Sequence, residues 1–361
     1  MRRVVSIPWS TFFGFLFVVL TIIGLLGNVI VIIAISGDRK MRRSVMNMLL
    51  LNLAVADGLN LITTTVEWIP TIIFGYPAWV FPEILCPIAR YMECVFLFNS
   101  IITQLVVCVE RYIAIVYPIH ARRLCSRRNI FGTVIATWLF VFIMAFPYVL
   151  FNEKRPNSRV CANPNMHTTF WTSYKWIEFT SFYFLPCIIF IMLYSKVCRV
   201  LWSKNKQLYQ EANSSGDGRS EALTMRRNVV KMLVACVSVY FICYSPIEGL
   251  FLSKGLFNIT VHIPYEVVLC FNALAITCSA CNPLLYTLFS KKFRTKTADL
   301  LSCSSRQKMI NGRTLEITYS FSKDLCICPW IRHRHQELDH LLSQRRNQKQ
   351  PSYSSNGPII L

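Results

Sequence analysis

Residues 86–118 read CPIARYMECVFLFNSIITQLVVCVERYIAIVYP, a cysteine followed by a long apolar run that closes on Glu110-Arg111-Tyr112. No charge interrupts the run from Cys94 to Val109. With its flanks it can cross a hydrocarbon core of about 30 Å as a helix, and it sets a carboxylate beside a guanidinium at its exit. Such a pair is costly unless it faces protein or a water-filled cavity, so it reads as functional.

Six further apolar stretches accompany this one: Thr11–Ser36, Val45–Phe74, Ile130–Phe151, Thr172–Trp202, Val229–Leu252 and Ile263–Ser290. Each is long enough to span, and none alternates apolar and polar residues like a membrane barrel strand. The sequence therefore predicts an all-α membrane protein, a seven-transmembrane helix bundle. Composition agrees: of 361 residues 54% are hydrophobic and only 16% charged, where soluble domains carry about 25% charged residues. In a soluble chain the net charge of +20 would suggest nucleic acid. Here the basic residues lie between apolar segments and in the tail, so they read as topology signals and no nucleic-acid partner is expected.

Lys and Arg collect in alternate links: Arg39 to Arg43, Arg122 to Arg128, Lys196 to Lys231, and the tail. These links are expected in the cytoplasm, which places the N-terminus outside and the C-terminus inside. Residues 1–10 then form a short extracellular N-terminus and 11–290 the bundle. Residues 291–302, with Phe293 and Leu300 among basic residues, suit an amphipathic helix on the membrane surface. Residues 303–361 read as a disordered cytoplasmic tail, and the polar stretch Ser203–Thr224 as a flexible linker. Met1-Arg2-Arg3 imitates a signal peptide, but the apolar run from Phe12 to Ile35 exceeds the usual h-region of about 7–15 residues and ends without a small-residue cleavage site. A retained first helix is expected.

Most of the cysteines fall inside apolar segments, where cysteine acts as a small apolar filler. On this topology Cys86 and Cys161 share the oxidising face, which predicts a disulfide between the third segment and the loop after the fourth.

Further motifs stand at fixed places along the bundle. They are Gly27-Asn28-Val29, Asn52-Leu53-Ala54-Val55-Ala56-Asp57, Glu110-Arg111-Tyr112, Trp138, Pro186, Tyr194, Cys243-Tyr244-Ser245-Pro246 and Asn282-Pro283-Leu284-Leu285-Tyr286. In this order, from Gly27 to about Phe293, they resemble the rhodopsin-like (class A) G-protein-coupled receptors, and Tyr117 to Ser126 resembles the FMRFamide-like peptide-receptor branch. The resemblance implies a plasma-membrane receptor, not an enzyme, that binds an extracellular neuropeptide and activates heterotrimeric G proteins. Arrestin and a receptor kinase are further implied partners. It assigns Glu110, Arg111, Tyr112, Ile119, Tyr194 and Tyr286 to coupling and activation, and Tyr240, Tyr244, Pro246, Asn282 and Pro283 to the switch. By the same resemblance Asn28, Ser100, Ser279 and Asn282 are suitable partners of Asp57, and Asp57, Ser100 and Asn282 are implied to hold a sodium ion; a hydrogen-bonded polar knot without an ion is the alternative. Three departures stand out: Tyr244 and Tyr240 where tryptophan and phenylalanine are usual, Cys278 in the sodium shell, and Arg226 where some members have an acid that clamps the third-helix arginine.

Five acids, Glu67, Glu93, Glu178, Glu248 and Glu266, fall on five different segments in the outer half, with Trp68 beside the first. Carboxylates do not collect inside a membrane bundle without a cationic partner, so a cationic or amidated peptide is the expected ligand. A biogenic amine anchored by Glu93 is the alternative, although Glu178 and Phe182 stand where amine receptors carry serines; individual glutamates can instead face lipid headgroups or pair with Arg90 or Lys175. Ile276 stands where a light receptor needs a lysine, and a transporter would show repeated halves. No nucleophile–base constellation or phosphate-binding loop supports an enzyme. In the tail, Cys326, Cys328, His333 and His335 suggest zinc, while Cys303, Cys326 and Cys328 suit acylation. Asn258-Ile259-Thr260 is a glycosylation sequon.

Overall fold

The computed structural model describes residues 3–154, 160–211, 217–257 and 263–302. The sequon at Asn258 and the tail sites, Cys303, Cys326 and Cys328 with their histidines, lie outside these residues, and the Arg226 side chain is not among those described. Helices run in the order α1 (Ile7–Gly37), α2 (Arg39–Arg43), α3 (Val45–Phe74), α4 (Leu85–Val116), α5 (Pro118–Leu124), α6 (Arg127–Ala145) and α7 (Pro147–Phe151). A two-residue hairpin follows, β1 (Glu153–Lys154) antiparallel to β2 (Cys161–Ala162). Next come α8 (Thr169–Phe179), a π-turn at Thr180–Phe184, α9 (Leu185–Glu211), α10 (Asp217–Phe257), α11 (Tyr265–Phe289) and α12 (Lys291–Ser302).

Seven spans among the described residues are long and apolar enough to cross a membrane: α1, α3, α4, α6 with α7, α8 through α9, α10 and α11. Their exposed faces are apolar, as at Phe15, Ile143 and Ile242, and the polar side chains Asn28, Asp57, Asn99 and Asn282 turn inward. This inversion of a soluble protein's pattern suits hydrocarbon as solvent, where a helix satisfies its own backbone. α4 lies at the centre, packed against α3, α6 and α9, while α1 packs against α3 and α11, and α11 against α10. Trp138 Nε1 donates to Asn52 Oδ1 at 2.9 Å and Asn52 Nδ2 to Thr103 Oγ1 at 2.7 Å, which ties α6, α3 and α4 together.

The chain divides into two units, Met1–Thr297 and Ala298–Leu361, and of the second the described part is the last turn of α12. Within the first, Phe293 of α12 is buried with its ring 5.9 Å from Tyr286. Lys296 also meets Asp38 at 3.1 Å, and Asp38 caps α2 by accepting from the Lys40 and Met41 backbone N–H groups. The structure departs from the sequence reading at the expected linker: α9 continues to Glu211 and α10 begins at Asp217. Lys204 to Glu211 contains neither Gly nor Pro and consists largely of good helix formers, so polarity there does not break the helix.

Close approach fixes α1. A β-carbon on Gly24 would sit 2.6 Å from Leu61 Cδ1 and 2.9 Å from Ala280 Cβ, and one on Gly27 would sit 2.9 Å from Pro283 Cβ. Small residues at helix crossings are the usual way membrane helices gain packing energy without a hydrophobic drive. Gly24→Val is therefore expected to wedge α1 from α3 and α11 at a cost of about 1–3 kcal/mol. Thermal unfolding of the purified protein checks this, with a lowered midpoint as the expected result.

Candidate functional site

At one end of the bundle Cys86, in the first turn of α4, is bonded to Cys161 of β2 with Cα atoms 5.7 Å apart. The predicted bridge thus pins the hairpin beside α4, with the buried Trp79 packed against it. Next to it opens a cleft of about 50 Å³ lined by Glu67, Trp68, Trp79, Arg90 and Tyr265.

Here the acids meet cations. Arg90 forms an ion pair with Glu67 of α3 and reaches Glu93, one turn along α4, at 3.7 Å. Thr64 Oγ1 donates to Glu93 Oε1 at 3.1 Å. Glu178 belongs to a second group: Lys175 Nζ donates to its Oε1 at 2.5 Å, and the Tyr148 hydroxyl donates to its Oε2 at 2.9 Å. Glu248 and Glu266 form no ion pair with the described residues. The five acids are thus split: Glu67 lines the cleft with Trp68 and Arg90, Glu93 meets Arg90 outside that lining, Glu178 pairs with Lys175, and Glu266 stands in the first turn of α11. Pairing with Arg90 or Lys175, which the sequence leaves open for individual acids, is what the structure shows for Glu67, Glu93 and Glu178. The signal for two of these pairs is the i,i+3 spacing to Glu93 and Glu178 on helices, which brings opposite charges together.

Midway along the bundle, Asp57 is fully buried. Its carboxylate accepts from Ser100 Oγ at 2.8 Å, Ser279 Oγ at 3.3 Å and Asn282 Nδ2 at 2.7 Å, joining α3, α4 and α11. Asn28, grouped with these by sequence, instead donates to the Gly24 and Ser279 carbonyls. Carboxylate, hydroxyl and amide oxygens of the kind a hard cation takes are gathered here, and among the described residues the buried Asn282 Oδ1 has no hydrogen-bond partner.

Beyond it the two unusual tyrosines meet, their rings 4.9 Å apart. Tyr240 donates to the Phe182 carbonyl at 2.9 Å. That carbonyl lies four residues before Pro186, which has no N–H to return to it, and within the π-turn. The hydroxyl of Tyr240 therefore answers a donor missing from the neighbouring helix, while Phe182 stacks on Phe98 of α4 at 3.9 Å. Pro246 lies within α10 and Pro283 within α11.

At the opposite end Arg111 forks onto both oxygens of the buried Glu110. Tyr112 packs edge-on to Tyr117, and the next helix, α5, carries Ile119 with 85% of its surface exposed. Tyr194 and Tyr286 are buried, their hydroxyls without a hydrogen-bond partner among the described residues, on a small cavity shared with Gln104 and Cys236. Arg111, Tyr194 and Tyr286 are thus not brought together in this packing by any hydrogen bond among the described residues.

Residues 27–286 match the 7 transmembrane receptor (rhodopsin family), and the chain belongs to that family. It is a class A G-protein-coupled receptor, a multi-pass protein of the plasma membrane and not an enzyme. Among its relatives, Neuropeptide receptor 15 of Caenorhabditis elegans is 52% identical over 324 residues, covering 84% of this chain and 93% of that receptor. Tachykinin-like peptides receptor 86C of Drosophila melanogaster is 28% identical, covering 83% of this chain and 61% of the relative. The Allatostatin-A receptor of Bombyx mori is 27% identical, covering 84% and 82%.

Tyr240→Phe is expected to leave the buried Phe182 carbonyl without this donor at a cost of about 1–3 kcal/mol. The thermal midpoint of the ligand-free receptor should fall, and Tyr244→Phe, whose hydroxyl makes no such bond among the described residues, should cost less.

Proposed function

We propose that the disulfide end faces the cell exterior and binds a cationic or amidated neuropeptide, and that the Glu110–Arg111 end faces the cytoplasm and engages a heterotrimeric G protein. The observation that carries this reading is the division of labour along α4. One end presents Arg90 and Glu93 beside an open cleft, and the other the Glu110–Arg111 pair beside an exposed Ile119. The relatives' names support a peptide, and the placement of Lys and Arg supports the orientation.

A ligand with higher affinity for one of two packings shifts the bundle toward it. Pro246 serves as the pivot of α10, Tyr240 and Tyr244 relay the change, and Asn282 and Pro283 let α11 follow. Arg111 then leaves Glu110 for Tyr194 and Tyr286, whose hydroxyls, without partners among the described residues, are ready acceptors. Tyr112 and Ile119 complete the G-protein surface. A sodium ion held by Asp57, Ser100 and Asn282 would neutralise the buried carboxylate and favour the resting packing. Glu67, Glu93, Glu178, Glu248, Glu266 and Trp68 form the ligand pocket. Arrestin and a receptor kinase act at the cytoplasmic side, α12 rests on the inner leaflet, Asn258 carries glycan and Cys303 a lipid.

Calcium or cAMP responses of cells expressing the chain, challenged with amidated peptides and biogenic amines, test the reading. A peptide response is expected, weakened by Glu93→Gln and abolished by Arg111→Ala at equal surface expression. A response to amines alone would replace the ligand class with the amine alternative.

A further inference from the structure

α3, α4, α9, α10 and α11 all contribute to the small cavity that carries Tyr194 and Tyr286. Leucines and valines of α3, α4 and α10 make most of its wall, which is interrupted by Gln104 of α4, Tyr194 of α9 and Tyr286 of α11. Gln104 is 5% exposed, Tyr194 8% and Tyr286 1%. The Nε2 of Gln104 and both phenolic hydroxyls have no hydrogen-bond partner among the described residues. The Cys108 thiol adjoins the Tyr194 hydroxyl, but sulfur is a weak partner.

Three stranded polar groups on one apolar cavity are costly, the more so inside a membrane bundle that has no bulk water to turn to. The cavity measures about 10 Å³, the size that admits a single water, and a buried water is typically held by about three polar partners. The inventories match. The Gln104 amide supplies a donor, each phenolic oxygen can accept, and water offers one oxygen and two hydrogens. Gln104 has no part in the ligand pocket, the Asp57 site or the switch described above.

We propose that Gln104, Tyr194 and Tyr286 hold one buried water between them, the amide donating to its oxygen and its two hydrogens going to the two phenolic oxygens. The water fastens α4, α9 and α11 to one another, while α10, which lines the cavity with Leu233, Cys236 and Val237, stays outside these ties. The hydration site stands on its own geometry, and its consequence rests on the switch reading given above. The phenolic oxygens that Arg111 takes on activation are occupied in this packing by the water that Gln104 anchors. Gln104 therefore weighs against activation.

The first test is thermal unfolding of the full-length, ligand-free receptor in nanodiscs. Methionine keeps the length of Gln104 and removes its polarity. Gln104→Met is expected to lower the midpoint by about 2 °C, the loss of one hydrogen bond. In a Tyr194→Phe, Tyr286→Phe background, where the amide is left alone, the same change is expected to raise it. A rise in both backgrounds marks a stranded amide and equal shifts mark independent sites; either overturns the hydration site. Where a variant folds poorly, the unaltered receptor decides: a structure that resolves ordered water should show one within about 3.2 Å of all three groups, and a dry cavity overturns the site. In cells, Gln104→Met should raise agonist-free G-protein activation about fivefold at equal surface expression, and Arg111→Ala should abolish the rise. An unchanged basal level overturns the weight of Gln104 against activation. A rise that survives Arg111→Ala overturns the switch reading and leaves the hydration site intact.

Discussion

A charge inside an apolar bundle must be met inside the bundle, because hydrocarbon offers nothing in exchange for lost hydration. The placement of the polar side chains obeys this rule at each level. Asp57 accepts from Ser100, Ser279 and Asn282, so one carboxylate fastens α3, α4 and α11 where they cross. Glu110 is covered by Arg111, and Glu67 and Glu178 by Arg90 and Lys175. Each pairing also locates helices relative to one another, since directional bonds and small-residue contacts such as Gly24 on Ala280 must do the work that water does for soluble cores.

The same rule makes the bundle switchable. A polar group whose partner is replaceable marks a place where a second arrangement can compete with the first. Arg111 has Glu110 in this packing, while Tyr194 and Tyr286 hold buried hydroxyls without partners among the described residues, beside a small cavity. Voids and orphaned donors favour alternatives of similar energy, and packed helices move between discrete arrangements rather than deform continuously. Proline contributes in two ways. Pro246 and Pro283 remove backbone bonds from α10 and α11, and Pro186 leaves the Phe182 carbonyl open to Tyr240, a hydrogen bond that joins the fifth and sixth spans alongside that between Tyr183 and Ser245.

Much of this was legible in the residues. Seven spans follow from apolar length, and the Cys86–Cys161 bridge from asking which cysteines can meet on one face. Three of the four side chains grouped around Asp57 do bond to it; Asn28 does not, because its amide caps carbonyls of α1 and α11 instead. Five acids were visible but their distribution was not: pairing depends on the rotation of each helix, which hydropathy does not report. The i,i+3 spacing of Arg90 with Glu93 and Lys175 with Glu178 held the clue. The π-turn was invisible because one extra residue per turn leaves no mark on composition, though a tyrosine where phenylalanine is usual hinted at a carbonyl in need of a donor. Polarity alone misjudged residues 204–211, whose helix propensity prevails.

The central claim is that the two ends of α4 are coupled, so that occupancy of the acidic cleft and engagement of Arg111 favour the same packing. Linkage makes such coupling reciprocal. The most direct test is the affinity of an activating peptide for purified receptor in nanodiscs, with and without nucleotide-free G protein. The account predicts that G protein tightens peptide binding by about 5- to 150-fold and that Arg111→Ala removes the gain without weakening the uncoupled affinity. An affinity that G protein leaves unchanged, with the complex shown to form, would contradict it.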